Sequence, residues 1–265
     1  MGKIIETHAH IYDEQFDMDR NIMLFRAFEK NISQIWMPNC NHETIPKMLA
    51  LEAEFPEQCF SMMGLHPCYV NETYEQELKI VEDWLENRNF ILIGEIGLDF
   101  YWDLSFVNQQ EKVFIKQLEL AKKHNLPICI HSRNSKDNQM NAIQRCCDLI
   151  EDFGWKDLRG IFHCFSGNFE DAKRVISLNF LLGIGGVVTF KNGGLDKFLD
   201  DIDINHLVLE TDSPYLTPTP HRGKRNEISL INLIAEKVAE IKTMPIETIQ
   251  NETSKNALNL LKKRL

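Results

Sequence analysis

Two histidines close the first apolar run of the chain. In the segment IIETHAH, His8 and His10 are two residues apart, so in a β-strand they project from the same face, one step beyond Glu6. Two imidazoles aimed at one point suit a bound divalent metal ion. An isolated pair of this kind is also common where a strand simply leaves a core. The pair therefore predicts a metal site only if ligand-type residues recur at equivalent places.

Such residues do recur in later apolar runs, at the end of the run in every case except Glu95, which lies in the middle of the fourth. They are His66 in GLHP, Glu95 in GEIGLD, His131 in ICIHSR, His163 in IFHCFSG and Asp212 in LVLETD. Together with the opening pair they mark six of eight apolar runs, which chance does not readily produce. His206 offers a contrast, because it precedes its run and is expected at the opposite end of the protein. The recurrence predicts one shared metal centre.

The elements that must position these residues alternate along the whole chain of 265 residues. Amphipathic patterns typical of helices separate the apolar runs, and strands separated by helices call for a parallel sheet. Eight such units predict an α/β fold, a (β/α)8 TIM barrel, with the active site at the C-terminal ends of the strands. No linker or composition shift divides the chain, so we expect a single domain over 1–265. The predicted strands are 3–10, 33–39, 59–67, 90–99, 126–133, 160–167, 180–188 and 206–212, and the clearest helical patterns are 17–31, 74–88, 108–125, 228–242 and 246–264.

The predicted ligand set exceeds what one tetrahedral ion needs. Four imidazoles and two carboxylates suit two divalent ions about 3.5–4 Å apart. Glu95, central on the fourth strand, is placed to bridge them. Asp212 is placed to accept a proton from an attacking water molecule. The expected division gives His8, His10 and Asp212 to one ion and His131 and His163 to the other.

A neighbouring carboxylate leaves two interpretations open. Glu210 shares the strand face of Asp212 by the period of two. It either orients a histidine from behind or is a buried structural carboxylate.

The formal charge of −10, from 29 basic and 39 acidic residues, argues against broad binding of phosphate backbones. An anionic substrate would need local positive charge from the metal ions. Arg133 and Arg222 are candidate phosphate contacts, as are Lys224 and Arg225 beside Arg222. The alternative for this basic loop, HRGKRNE at 221–227, is that its cations are solvated or form structural salt bridges. His66 either donates a hydrogen bond to a phosphate or caps its loop.

The cysteine content and the hydropathy of the sequence indicate in which cellular compartment the protein is expected. Seven cysteines without a C-x-x-C spacing are typical of reduced thiols in a cytoplasmic protein. No segment approaches transmembrane length and no signal peptide is evident, so we expect no membrane association. Aromatic residues 100–102 follow the fourth strand, where at most one is expected to contact an unpaired base.

The ordered motifs HAH, GLHP, IGEIGLDF, IHSRN, FHCFSG, LGIGG, LETDSP and HRGKRNE resemble the TatD family of metal-dependent deoxyribonucleases. The resemblance covers nearly the whole chain. It implies a binuclear centre and hydrolysis of DNA phosphodiesters, commonly as a 3′-end exonuclease supported by Mg²⁺. Four histidines also suit Zn²⁺ or Mn²⁺. DNA is then the substrate, and no obligatory protein partner is predicted. The implied ligands are His8, His10, Glu95, His131, His163 and Asp212.

Two other classes of function remain open from the sequence. One is an amidohydrolase that cleaves a small amide, ester or lactone, or an aminoacyl-tRNA ester. Binuclear members of that wider group often carry a carboxylated lysine on the fourth strand, where this chain has Glu95. The other is a non-catalytic metal or nucleic-acid binding protein, which the complete ligand set disfavours.

Overall fold

Eight parallel strands form the inner layer of the protein, as predicted. The computed structural model describes residues 2–137 and 139–262. All eight predicted strands are present, but most are shorter than the apolar runs, because the ends of those runs turn into the loops that carry the polar residues. The strands are β1 (Ile4–Glu6), β2 (Ile32–Met37), β3 (Cys59–Ser61), β4 (Ile93–Asp99), β5 (Ile128–Arg133), β6 (Gly160–Phe162), β7 (Phe180–Ile184) and β8 (Leu207–Leu209).

Backbone hydrogen bonds join the strands into a closed ring. The order is β1-β2-β3 in one sheet and β4-β5-β6-β7-β8 in the other, with parallel pairing throughout. The amide of Thr7 donates to Leu209 O at 3.1 Å and joins β1 to β8, and the amide of Ile91 donates to Ser61 O at 3.2 Å between β3 and β4. This closure produces the predicted (β/α)8 barrel.

The outer layer consists of helices that follow most strands. A departure from the ideal barrel occurs between β7 and β8, where short 3-10 turns at 186–189, 195–197, 199–201 and 204–206 replace an α-helix. This stretch contains Gly193-Gly194, and Gly194 has a φ of 79°, a conformation that would interrupt a helix. The helices are α1 (Arg20–Glu29), α2 (Ile45–Glu54), α3 (Tyr74–Asn87), α4 (Val107–His124), α5 (Ala142–Phe153), α6 (Phe169–Ser177), α7 (Ile231–Lys242) and α8 (Ile246–Lys262).

The interior of the barrel is filled with apolar side chains, and its lower end is covered. Trp36, Met62 and Ile161 belong to a buried cluster to which Ala257 and Leu260 of α8 contribute. Helix α8 is also hydrogen-bonded to the first strand, since Ser254 Oγ accepts from the amide of Ile5 at 3.1 Å. Helix α8 thus covers the N-terminal ends of the strands, and an open cavity lies at the opposite face of the barrel. Among the described helices none is both long and apolar enough to cross a membrane.

Candidate metal centre

A single buried carboxylate, that of Glu95 on β4, lies at the centre of the upper barrel face. It is 2 % exposed and five imidazoles approach it. Burial opposes its ionisation, but the surrounding histidines outweigh burial and hold the pKa of Glu95 well below its usual range. The distances are 3.1 Å from Oε2 to His8 Nε2 and 3.6 Å to His10 Nε2, and from Oε1 2.9 Å to His131 Nδ1, 3.3 Å to His66 Nε2 and 3.4 Å to His163 Nε2.

Asp212 completes one side of this centre. Its Oδ1 lies 3.5 Å from His10 Nε2 and 3.8 Å from His8 Nε2. The amide of Asp212 donates to His8 O at 3.0 Å, which ties the loop after β8 to the loop after β1. Burial raises the pKa of Asp212, but its contact with His10 and the charges of nearby histidines outweigh this and lower the pKa below the usual value. Asp212 is therefore ionised at neutral pH.

Contacts behind two of the rings fix which nitrogen is free to bind a metal ion. Tyr12 donates its hydroxyl proton to Pro38 O at 2.6 Å, so its oxygen accepts from Nδ1 of His10 at 3.0 Å. Glu210 Oε1 accepts from Nδ1 of His163 at 3.0 Å. In its neutral form each ring therefore carries its proton on Nδ1, and the lone pair of Nε2 faces Glu95. This is the tautomer that a metal ligand needs.

His8 and His10 support the same conclusion. Their Nε2 atoms are 3.3 Å apart, and Nδ1 of His8 lies 3.3 Å from Cys129 Sγ. These two nitrogens and a carboxylate oxygen of Asp212 lie within 4.8 Å of one another. A divalent ion fits this arrangement, so the donor set of this site suits the metal ions that the sequence predicts.

His131 differs, because it lies between two carboxylates. Its Nδ1 is 2.9 Å from Glu95 Oε1 and its Nε2 is 2.9 Å from Asp99 Oδ2. Burial lowers the pKa of His131, but the two carboxylates outweigh it and raise the pKa. Burial raises the pKa of Asp99, but contact with His131 outweighs this and lowers it to about 2. The sequence interpretation did not include Asp99, although the period of two along β4 places Glu95, Gly97 and Asp99 on one face.

His66 has the opposite proton arrangement from His10 and His163. Its Nδ1 accepts from the amide of Cys68 at 3.1 Å, which leaves the proton on Nε2. That N–H points toward Glu95 Oε1 at 3.3 Å. His66 therefore lies within the centre as a hydrogen-bond donor, and it also caps the 3-10 turn Pro67–Tyr69.

Two buried carboxylates lie beneath the ligand layer. Glu6 Oε1 accepts from the amides of His8 and Thr211, both at 3.0 Å, and burial raises the pKa of Glu6 to about 8. Glu210 Oε1 accepts from the amide of Cys164 at 2.5 Å as well as from His163. Glu6 thus fixes the backbone that carries His8, and Glu210 orients His163, which favours the first of the two interpretations left open for Glu210.

The predicted basic contacts lie in different environments. Arg133 is exposed and lines the cavity above the metal centre, whose volume is about 570 Å³. Arg222 lies over the ring of Phe190 and donates to Thr217 O at 3.0 Å. Arg225 binds both carboxylate oxygens of Asp19 at 2.7 and 2.8 Å. Arg225 therefore has the salt-bridged role that was the alternative for this loop.

Four groups of side chains have ligand-type atoms close enough together to hold an ion. They are His8, His10 and Asp212; His8, Glu95 and His163; His66, Glu95 and His131; and His163, Cys164 and Glu210. The structure thus brings together all six predicted ligands, and His66 joins them.

The comparisons with known proteins show which family the chain is similar to. The model of the TatD-related DNase family matches residues 5–262. The uncharacterized metal-dependent hydrolase YabD of Bacillus subtilis is 35% identical over 260 residues, covering 98% of this chain and 99% of YabD. The uncharacterized metal-dependent hydrolase YcfH of Escherichia coli K12 is 29% identical over 261 residues, covering 97% and 95%. The crystal structure of the TatD homologue YjjV of Escherichia coli K12 superposes with a TM-score of 0.88 at 24% identity, covering 97% of each chain.

The fold and the site together define a barrel hydrolase with a histidine and carboxylate metal centre. The chain belongs to the TatD family of metal-dependent hydrolases.

Proposed function

We propose that this protein hydrolyses DNA phosphodiester bonds, as a 3′–5′ exonuclease that acts on single-stranded or frayed ends. The observation that carries the proposal is the arrangement of five imidazoles and Asp212 around the buried Glu95 carboxylate, at the floor of an open cavity. The name of the matching family, TatD-related DNase, supports DNA as the substrate. The polarity of digestion follows from the family resemblance of the motifs.

The ligands proposed for the two divalent ions are His8, His10, Glu95, His131, His163 and Asp212. Bound ions would supply Lewis-acid activation of water and neutralise charge on the phosphate. Mg²⁺ is the ion proposed to support activity, as the family resemblance implies. Zn²⁺ and Mn²⁺ are the alternatives, because four histidine ligands suit first-row transition metals.

The residues of the chain supply the proton transfers. Asp212, ionised at neutral pH, accepts a proton from the attacking water as its oxygen bonds to phosphorus. The bond from phosphorus to the leaving ester oxygen then breaks, and that oxygen takes up a proton from solvent water to leave as an alcohol. His66, with its proton on Nε2, is placed to donate to a non-bridging phosphate oxygen. Arg133 at the cavity wall adds positive charge for the same anion.

The shape of the site favours chain ends. A cavity of about 570 Å³ is within the range of pockets for small ligands and has no room for a duplex. An unpaired strand end can enter it, whereas a closed duplex would first have to open. All seven cysteines are free thiols, which supports the proposed cytoplasmic location.

The test is a time course on end-labelled single-stranded and duplex oligonucleotides with Mg²⁺, Mn²⁺ or Zn²⁺ added in turn. Asp212→Asn is the matched variant, because Asp212 has a φ of 56° and Asn tolerates that conformation. We expect stepwise shortening of the single strand from its 3′ end, and a loss of about 10²–10⁴-fold in rate in the variant. Intact DNA in every metal, with hydrolysis of a small ester, would replace this proposal by the small-molecule hydrolase.

A further inference from the structure

The three aromatic residues after β4 have different surroundings. Phe100 is buried, whereas Trp102 is 65% exposed and lines the cavity of the metal centre. Tyr101 lies between them with its ring edge-on to Trp102, at 5.0 Å between ring centroids. The guanidinium of Arg133 covers the Tyr101 ring at 3.8 Å. Trp102 is thus the member of this segment that has a large ring surface available at the cavity mouth.

Two cations flank this surface. The guanidinium carbon of Arg133 is 5.2 Å from the Trp102 ring centroid, and the Lys136 ammonium is 5.9 Å from it and 4.9 Å from the Tyr101 centroid. Within residues 2–137 and 139–262 neither cation forms an ion pair with a carboxylate, whereas Arg145 and Arg225 both do. In a chain with a net charge of −10, two cations without ion pairs beside Trp102 leave a local site for an anion.

One carboxylate fixes the aromatic segment relative to the metal centre. Oδ1 of Asp99 accepts from the amides of Tyr101 and Trp102 at 2.8 and 3.1 Å, while its Oδ2 contacts His131. Arg133 lies on β5 beside Asp99 on β4, so strand pairing places the cation against the same segment. The backbone that carries the indole and the strand that carries the cation therefore keep a defined position next to the metal centre, as a substrate subsite requires.

We propose that Trp102, Arg133 and Lys136 form a nucleotide subsite in which an unpaired base stacks on the indole of Trp102 and the adjoining phosphate binds Arg133 and Lys136. The inference rests on the proposed function, because it assigns the single-stranded substrate of that site. A base that remains paired cannot present its face to the indole, so the subsite selects unpaired strands. Base–aromatic stacking tolerates any base, and discrimination among sequences is therefore weak.

The test combines a residue change with a substrate change. Oligonucleotides carry one abasic nucleotide at each of the first four positions from the digested end, and kcat/KM is measured for wild type, Trp102→Ala and Trp102→Phe. We expect Trp102→Ala to lower kcat/KM about tenfold on the intact oligonucleotide, mainly through KM. At one abasic position the variant and wild type should differ less than twofold, because the partner of the indole is already absent. Trp102→Phe should recover part of the loss.

The cations are tested by salt dependence. Arg133→Gln and Lys136→Gln should each weaken binding of the oligonucleotide. Each should also make the fall of log affinity with log salt shallower by about 0.7, the value for one phosphate contact on a single strand. Phe25→Ala and Lys255→Gln are the matched controls, since Phe25 is 61% exposed on the outer helix α1 and Lys255 pairs with Glu252 on α8. Both controls should equal wild type in every assay.

Binding of a phosphorothioate oligonucleotide to metal-loaded protein separates this inference from the nuclease proposal. In one outcome wild type binds this oligonucleotide, Trp102→Ala binds it about tenfold more weakly, and neither protein cleaves ordinary DNA. The subsite would then be supported and the proposed nuclease function would be wrong. If cleavage occurs and Trp102→Ala behaves as wild type at every abasic position, the subsite is overturned and the proposed function stands. If wild type neither binds nor cleaves the strand, both are overturned.

Discussion

Oε1 of Glu210 lies 3.0 Å from Nδ1 of His163, so a buried carboxylate stands directly behind a predicted metal ligand. Burial lowers the pKa of His163, but the charges of Glu210 and Glu95 outweigh it and raise the pKa to about 9. The same contact holds the ring with Nε2 directed toward Glu95. Such a pair increases the basicity of an imidazole ligand and fixes its orientation.

Glu210→Gln should therefore weaken metal binding without removing a ligand. The amide oxygen still accepts from Nδ1 of His163, but the negative charge is lost, and we expect a fall of about 10–100-fold in affinity. Titration calorimetry with Zn²⁺ measures it. Glu170→Gln on the exposed surface of α6 is the control. Equal affinities of Glu210→Gln and wild type would mean that Glu210 is only a structural carboxylate.

The variant His66→Ala should show whether His66 acts as a hydrogen-bond donor or as a metal ligand. Because Nδ1 of His66 accepts from the amide of Cys68, its Nε2 carries a proton and cannot act as a ligand in that tautomer. We expect kcat/KM on the phosphodiester to fall about 10²-fold, as for the loss of one donor to a developing anion. Metal content per chain, measured by mass spectrometry, should stay at the wild-type value, whereas His163→Ala should lose metal. A loss of metal in His66→Ala would instead make His66 a ligand.

The sequence predicted the six ligands because strand periodicity and strand ends are local features. His8 and His10 follow from the period of two, and Glu95 follows from its central position along β4. The sequence prediction did not include Asp99, although the same period places it on the face of Glu95, because its role depends on a histidine that lies on another strand. Its contact with His131 joins residues 32 positions apart.

The proton arrangement of the histidines was beyond sequence reasoning. It depends on contacts between distant segments, such as Tyr12 with Pro38 and His163 with Glu210. The same holds for Arg225, whose partner Asp19 lies 206 residues earlier. Charge and spacing indicated a basic loop, but only packing shows which cations are already neutralised.

Metal ions should stabilise the folded chain through Glu95. At a hundredfold excess over Kd, one site contributes about 2.7 kcal/mol, which corresponds to a rise of about 5–10 °C in Tm for a domain of this size. Mn²⁺ is preferred for the test, because Zn²⁺ also binds unfolded cysteine and histidine. Scanning calorimetry should show the rise in wild type, its reversal by a chelator and its absence in Glu95→Gln. A rise of the same size in Glu95→Gln would show that the ion binds elsewhere.

The ion pair between Asp19 and Arg225 should make stability depend on pH in the acid range. Hydrogen bonds from Arg225 hold the pKa of Asp19 below its usual value of 3.8. A carboxyl group whose pKa is lower in the folded state contributes stability above its unfolded pKa, and that contribution is lost as pH falls through the folded value. Asp19→Asn should therefore reduce the free energy of unfolding by about 1 kcal/mol at pH 7, and the difference from wild type should shrink as pH falls below about 3.8.

Urea unfolding at pH 7, 4.5 and 3 measures this difference. Asp83→Asn is the matched control, because Asp83 pairs with Lys79 on the exposed face of α3 and solvent screens that pair more strongly. The control should change stability less than Asp19→Asn at pH 7. A difference between Asp19→Asn and wild type that stays constant from pH 7 to pH 3 would show that Asp19 acts through packing at the start of α1. The bidentate ion pair with Arg225 would then contribute no net electrostatic stabilisation to the folded state.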